Sequence, residues 1–323
     1  MTIKDWWDEA LGTFKADEPF RDLSNFEGKR FAVNIFIFLN KFLRSDVDKL
    51  ASTSSPPYPC PDLIQSVMDF HGKISKVIHP VYVFDGVAPS VKDGTKAQRA
   101  SIQNRDGAFY LEKVLIAQED SNYVFISNDI LRATVARMKM SHPTALDHAN
   151  VLRWMKKEGI DCYGSLFEAD QQMIQLEKDG VVDGIILEDG DEVALGAKLL
   201  LTKFTRKTNG QYKCKAFSAE RFFHPSNPFH SKICSHKTLI THAALLLGND
   251  YCSRIKGNGL AAVLGSKSKT FVQTKQRNSD GILDLLANST DKMKCLECIG
   301  TKGKLPMHLL DLERYRKAYR YML

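Results

Sequence analysis

Six carboxylates, Asp85, Glu168, Asp170, Asp189, Asp191 and Asp250, stand where the chain could gather them into one acidic site. Glu168-Ala169-Asp170 opens a predicted helix, so both acids lie in its first turn, the end of a helix that favours anionic side chains. Asp189-Gly190-Asp191 closes a predicted strand. Gly190 lets the backbone turn there, and alternate residues of an extended segment face one side. Asp85 ends an earlier strand, and Asp250 follows a helix that stops at Gly248. Singly, each has an ordinary explanation, since acids at a helix start are usually caps and Asp-Gly-Asp is usually a turn. Together they suit divalent cations. Mg²⁺ prefers oxygen ligands, and two such ions roughly 4 Å apart can activate water and stabilise a leaving oxygen in phosphodiester hydrolysis. Without cations, the mutual repulsion of so many acids is unfavourable.

The elements that must position these acids are legible as short apolar runs. Lys29–Asn34 (KRFAVN), Val81–Asp85 (VYVFD) and Gly184–Asp189 (GIILED) are rich in β-branched and aromatic residues and end in a polar one, as buried parallel strands do. Helices are predicted over Phe36–Leu50, over Leu146–Glu158 with Gly159 as a stop, and over Glu168–Asp179 stopped by Gly180. Strands alternating with helices imply an α/β fold with a mostly parallel sheet. Sites in such sheets gather beyond the carboxyl ends of the strands, where Asn34, Asp85 and Asp189 all fall. Leu199–Phe217 reads as a hairpin around Asn209-Gly210. Ser52–Cys60 reads as a Ser/Pro-rich loop, and Gly94–Met140 as an insertion of mixed charge and weak helical periodicity. Thr238–Leu247 reads as a helix, Ile255–Gly265 as helix, glycine turn, helix, and Leu309–Leu323 as a basic helix.

Composition narrows the partners. At 323 residues the chain has room for one large domain or two modest ones, and 43% hydrophobic with 26% charged residues is the balance of a soluble globular protein. No apolar run approaches a membrane span. The opening MTIKDWWDEAL carries Asp5, Asp8 and Glu9 and no apolar h-region, so it is not read as a signal peptide. The scattered cysteines are expected as reduced thiols. The net charge of +7 is unevenly spread: Tyr251–Ser279 and Lys203–Lys215 hold Lys and Arg but no acid. Alone, each run is as well explained by a solvated face; beside clustered carboxylates they point to a polyanionic partner.

These segments resemble the XPG and flap-endonuclease family of structure-specific 5′ nucleases, of PIN-like fold, over roughly residues 1–275. Pro80–Arg99 (PVYVFDGVAPSVKDGTKAQR) is similar to the family's V-F-D-G strand end and following basic helix. Phe167–Gln172 (FEADQQ) is similar to its E-A-E-A segment, and Leu187–Gly196 (LEDGDEVALG) to its E-D-x-D segment. Leu245–Gly259 (LLLGNDYCSRIKGNG) is similar to its G-[SN]-D-Y and helix–hairpin–helix motif; MTIKDWW resembles its N-terminus only weakly. The resemblance implies a PIN-like nuclease domain over 1–237, comprising an N-terminal part (1–105), an arch-like insertion (about 94–140) and an internal part (146–237). A helix–hairpin–helix module over 238–280 and a helical extension over 281–323 follow. It implies that Asp85, Glu168, Asp170, Asp189, Asp191 and Asp250 hold two Mg²⁺ ions, for which Mn²⁺ can substitute, and that Lys92 and Arg99 reach the scissile phosphate. Gly257 and Gly259 would grip a phosphate through backbone N–H groups. Arg254, Lys256, Lys267 and Lys269 would add contacts that position DNA without reading sequence. The implied partner is DNA with single-strand/duplex junctions, with RNA an open alternative, and the implied location is the nucleus, the cytoplasm being the alternative.

The chain departs from the family pattern at several places. Asn34 replaces an aspartate that is a direct metal ligand, so it is expected as a weak or substituted ligand that lacks the charge. Asp170 replaces a glutamate and is one methylene shorter. Asn40 replaces a base-stacking tyrosine, a contact worth about 1–3 kcal/mol. Thr2 and Asp5 replace glycines. A divergent nuclease of altered substrate and an inactivated, nucleic-acid-binding scaffold both fit these changes; six retained acids and two retained cations favour the nuclease. A small-molecule phosphohydrolase fits the basic runs poorly. Gly257-Asn-Gly259-Leu-Ala-Ala262 lacks the preceding strand of a dinucleotide site, and Gly265-Ser-Lys267-Ser is not a phosphate-binding Walker loop. Cys295-x-x-Cys298 is half a zinc site, which Cys234 and His236 could complete, though reduced thiols explain it more simply. Trp6 and Trp7 are expected to pack rather than bind.

Overall fold

A computed structural model describes residues 20–45, 61–94, 96–102, 104–105, 108, 143, 145–188, 191–222, 240–247, 249, 251–252, 286, 289–291 and 312–322. Its centre is a seven-stranded sheet in the order β1-β7-β6-β5-β2-β3-β4. The strands are β1 (Arg21–Asp22), β2 (Arg30–Asn34), β3 (His79–Phe84), β4 (Cys162–Gly164), β5 (Gly184–Ile186), β6 (Leu199–Arg206) and β7 (Tyr212–Ser218). From β6 across to β4 every pairing is parallel; β7 and β1 add an antiparallel edge. The expected mostly parallel α/β sheet is present.

β2 lies between β3 and β5, and Phe31 to Asn34 are all buried, as a central parallel strand covered on both faces must be. The covering helices are amphipathic. α1 (Ile35–Ser45) buries Ile35, Phe38 and Leu39, and α2 (Pro61–Ile74) buries Leu63, Val67, Phe70 and Ile74, both at helical spacing. Phe38 stacks on Phe70 at 4.5 Å between ring centres, which joins the two helices over the sheet. α2 has the clear period of a core helix and is an element that the sequence reading did not assign. α3 (Ala145–Lys157) and α4 (Ala169–Lys178) match their predicted positions within a residue or so at each end, and both are followed by the expected glycines in left-handed conformation, Gly159 and Gly180. The expected hairpin of β6 and β7 is present, but Gly210 alone of the Asn-Gly pair is left-handed: its N–H donates to Lys207 O at 3.0 Å, so the glycine closes a longer loop rather than a two-residue turn.

One expectation is corrected. Asp191 does not lie on an extended segment that closes a strand. β5 ends at Ile186, and Asp191 begins a short helix, α5 (Asp191–Leu195). The same-face argument from strand alternation therefore does not apply to it. After β7 come α6 (Ala219–Phe222), α7 (Ile240–Leu247) and the predicted C-terminal helix, α8 (Leu312–Met322). α8 packs on α7 and touches the 3-10 turn Ser90–Lys92. Several residues of 93–105 are helical and exposed. Residues 109–140 of the arch-like insertion, the glycine hairpin with Arg254, Lys256, Gly257, Gly259, Lys267 and Lys269, Trp6, Trp7, Cys295 and Cys298 lie outside the described residues. Among the described residues, Cys162, Cys214 and Cys252 are free thiols, and no helix is long and apolar enough to cross a membrane.

Candidate functional site

The carboxyl ends of β2 and β3 deliver the first two site residues. Asn34 is the last residue of β2, paired in register with Val83, and Asp85 lies just past β3. The start of α4 supplies the next two, Glu168 at the N-cap position and Asp170 in the first turn. Asp85 joins the two pieces: its Oδ1 accepts the N–H of Ala169 at 2.7 Å. Gly86 then allows the 165–167 segment to lie against the strand end. Its N–H donates to Phe167 O at 2.5 Å, and a Cβ at this position would overlap the carbonyl oxygens of Ser165 and Leu166. The V-F-D-G motif thus has a packing reason for its glycine.

Glu168 is engaged through both of its carboxylate oxygens. Its Oε1 forms an ion pair with Lys92 Nζ at 2.6 Å, both side chains being 13% exposed. Its Oε2 accepts the hydroxyl of Tyr251 at 2.8 Å. The Lys92 ammonium also sits 4.5 Å from the centre of the Tyr251 ring, a cation–π seat. Tyr251 is buried and held by Asn249, whose Oδ1 accepts the N–H groups of both Tyr251 and Cys252. The loop that carries Asp250 therefore reaches Glu168 through the next residue along. Asp189 and Asp250 themselves, and the side chain of Asp191, lie outside the described residues. Arg99 is described and exposed.

The acids are electrostatically crowded. Burial pushes Asp170 up to about 7, with repulsion from Asp85 adding to it and Lys92 and the Asn34 hydrogen bond opposing. Asp85 is open to solvent by surface area but has protein packed around its carboxyl group. That burial raises it, repulsion from Glu168 adds, and the Ala169 N–H and Lys92 pull the other way. The donor set is all oxygen and excess in negative charge, which suits a hard divalent cation. Even so, among the described residues no three acidic, histidine or cysteine side chains form a group that could hold an ion by themselves. A resident metal would need further ligands from outside that set.

Three side chains carry roles that sequence reasoning missed. Tyr251 seats Lys92 and bonds Glu168; its signal was its place next to Asp250 in the G-N-D-Y stretch. His148, on α3, lies within electrostatic range of Asp85 and packs edge-on against Phe36; burial lowers it, Asp85 and Asp147 opposing. No spacing pattern marked it. Glu188 accepts the N–H groups of Lys203 and Phe204 and pairs with Lys41 Nζ at 2.8 Å, which anchors the chain just before Asp189 to the bulge in β6. Asn40, at the position of a stacking tyrosine in the resemblance, donates to its own helix at Phe36 O.

A parallel sheet with acids gathered beyond its strand ends is the arrangement of PIN-like α/β nucleases, and comparison with known proteins narrows the class. Residues 14–106 match the XPG N-terminal domain and residues 159–250 the XPG I-region. These regions make up more than half of the sequence, and the chain belongs to the XPG family. It is 27% identical over 260 residues to exonuclease 1 of Xenopus laevis, covering 76% of this chain and 31% of that protein. It is 26% identical over 272 residues to flap endonuclease 1 of Drosophila yakuba, covering 83% and 63%. The chain thus spans between about a third and two thirds of these relatives. The catalytic core of Rad2 in complex with DNA substrate shares the fold at a TM-score of 0.54 and 20% identity, covering 98% of this chain and 78% of that one. Human GEN1 in complex with Holliday junction DNA does so at 0.51 and 16%, covering 96% and 65%.

Proposed function

We propose that the protein is a divalent-metal-dependent, structure-specific nuclease that hydrolyses DNA phosphodiesters near 5′ single-strand/duplex junctions. The observation that carries this reading is that Asp85, past the end of β3, and Glu168 and Asp170, at the start of α4, lie within electrostatic range of one another with Lys92 paired to Glu168. Its relatives support the same chemistry, as flap endonuclease 1 and exonuclease 1 are nucleases by name and Rad2 and GEN1 are solved with DNA.

Two Mg²⁺ ions, or Mn²⁺ in their place, held by Asp85, Glu168 and Asp170 together with Asp189, Asp191 and Asp250, would supply water activation and charge neutralisation at the leaving oxygen. Lys92 brings a cation to the scissile phosphate, and Arg99 a second. The ammonium of Lys92 is placed in advance by Glu168 and the Tyr251 ring, so an incoming phosphate competes for a donor that is already oriented. Gly257 and Gly259, with Arg254, Lys256, Lys267 and Lys269, hold the duplex by its phosphates. RNA offers the same phosphodiester and is the neighbouring substrate class. The location that goes with these relatives is the nucleus.

A second reading, binding without turnover, is favoured by one observation: at position 34 an amide, not a carboxylate, faces Asp170. Cleavage of an end-labelled 5′-flap duplex by wild type, Asn34→Asp and Asp189→Ala, with Mg²⁺ and Mn²⁺ titrated, separates the two. Wild type is expected to cut, and Asp189→Ala to abolish cutting while junction binding persists. Salt-sensitive binding with no cutting in either metal would replace the nuclease reading by the scaffold. Activity that emerges only in Asn34→Asp would trace the loss to one amide.

A further inference from the structure

The departure at Asn34 has a structural counterpart 136 residues away, at Asp170. Asn34 is 4% exposed and stands at the junction of β2 and α1. Its Oδ1 accepts the N–H of Phe36 at 3.0 Å and, more weakly, that of Ile37 at 3.4 Å. Its Nδ2 donates to Asp170 Oδ1 at 2.9 Å. Chemistry on both sides sets this orientation. Backbone N–H groups only donate, so the oxygen must face α1; a carboxylate only accepts, so the NH₂ must face Asp170. The oxygen is engaged by the first turn of α1, and what Asn34 presents to the acids is a donor.

We infer that Asn34 is a positioning residue rather than a metal ligand: its amide N–H ties the end of β2 to the start of α4 and holds Asp170 in place by a direct hydrogen bond. An aspartate at position 34 could still cap α1, since Asp and Asn are comparable caps. It would also set a second carboxylate against Asp170 in a sheltered site, where like charges repel strongly. The short side chain of Asp170 fits this arrangement, because the amide reaches it directly at hydrogen-bond length. The tether itself requires no cation, so cation binding is less strongly linked to fold stability than in a site built of carboxylates alone. The Mg²⁺ part of this inference rests on the metal-site reading above; the metal-free part does not.

Thermal unfolding of the full chain, in EDTA and then in rising Mg²⁺, tests both parts with wild type, Asn34→Asp and the exchanged double variant Asn34→Asp/Asp170→Asn. In EDTA, Asn34→Asp is expected to lower Tm by on the order of 3 °C or more. The double variant, in which amide and carboxylate trade places, is expected to recover most of that loss. Mg²⁺ is expected to raise the Tm of Asn34→Asp by more than that of wild type. If Asn34 acted only as a cap, Asn34→Asp would be at least as stable as wild type in EDTA, because an anion at a helix N-terminus is favourable; that result overturns the inference. So does a double variant no more stable than Asn34→Asp. Should Asn34→Asp fail to fold without metal, recovery or failure of the double variant decides alone. Equal Mg²⁺ responses in wild type and a destabilised, exchange-rescued Asn34→Asp would overturn the metal part and leave the tether.

Discussion

Glu168 has a donor on each oxygen, Lys92 on one and Tyr251 on the other, and that pairing makes single substitutions here informative. Tyr251→Phe keeps the ring that seats Lys92 and removes the hydroxyl. Taking one partner from a sheltered, charge-assisted hydrogen bond is expected to lower unfolding stability by about 1–3 kcal/mol, measurable by urea denaturation. Lys92→Ala removes the cation instead. Single-turnover cleavage is expected to fall by roughly 10²–10³-fold, the usual loss when one preorganised charge-stabilising donor goes. Junction affinity measured in Ca²⁺ should change far less. A Lys92→Ala variant that cuts at the wild-type rate would show that this ammonium serves the fold and not the reaction.

Between elements, the buried Glu177 joins α4 to β6. Its two oxygens accept the N–H groups of Lys198 and Leu199 at 2.7 and 2.8 Å, which satisfies backbone donors where β6 begins. Burial raises this carboxyl above 4.5, and the two N–H groups and Lys198 offset only part of the shift. A carboxyl raised in the folded chain is harder to ionise there than in the unfolded one. Its contribution to stability is therefore fullest below the unfolded value and is lost as pH rises through the folded one. Denaturant unfolding at a series of pH values above 4.5 should show this falling component in wild type and a flatter profile in Glu177→Gln. Glu177→Gln should also be less stable at the acidic end, because an amide can accept through only one of the two positions. A profile identical in slope would mean that other groups carry the pH dependence.

Across the whole molecule, α8 returns the chain to the site. Tyr315 is fully buried, its hydroxyl 2.7 Å from His242 Nδ1 on α7, and Tyr319 stacks on the same imidazole at 4.3 Å. α7 leads into the loop of Asn249 and Tyr251, while α8 also touches the turn that bears Lys92. The last helix is thus part of the support for Lys92 and Tyr251. Tyr315→Ala is expected to destabilise the fold by about 3–5 kcal/mol, as large-to-small changes of buried aromatics do; a change under about 1 kcal/mol in calorimetry or denaturant unfolding would place α8 outside the cooperative unit. The basic segment after Tyr251 makes a different kind of prediction. If Lys256 meets a phosphate, Lys256→Ala should reduce the slope of log affinity against log salt by about 1, with no change in junction preference.

The features that the sequence determined by itself are local ones. Periodicity located α1, α3, α4 and the β6–β7 hairpin, because the burial that shapes each is set by residues a few positions apart. The placement of Asn34, Asp85, Glu168 and Asp170 at strand ends and a helix start followed from the same local signals. Local signals failed where a short segment had two readings: the Asp189–Asp191 stretch looked like a strand end, but Asp191 starts a helix. Only the tertiary structure decided which atoms meet. That Asn34 turns its oxygen to α1 and its N–H to Asp170, that Lys92 pairs with Glu168, and that Tyr251 lies beneath Lys92 all depend on contacts between residues far apart in the chain, 136 in the first case and 83 in the Tyr251–Glu168 bond. Hydrogen bonds are directional over a few tenths of an ångström, and residue type and spacing specify a neighbourhood no more finely than several ångströms; the packed sheet and its helices supply the remaining precision.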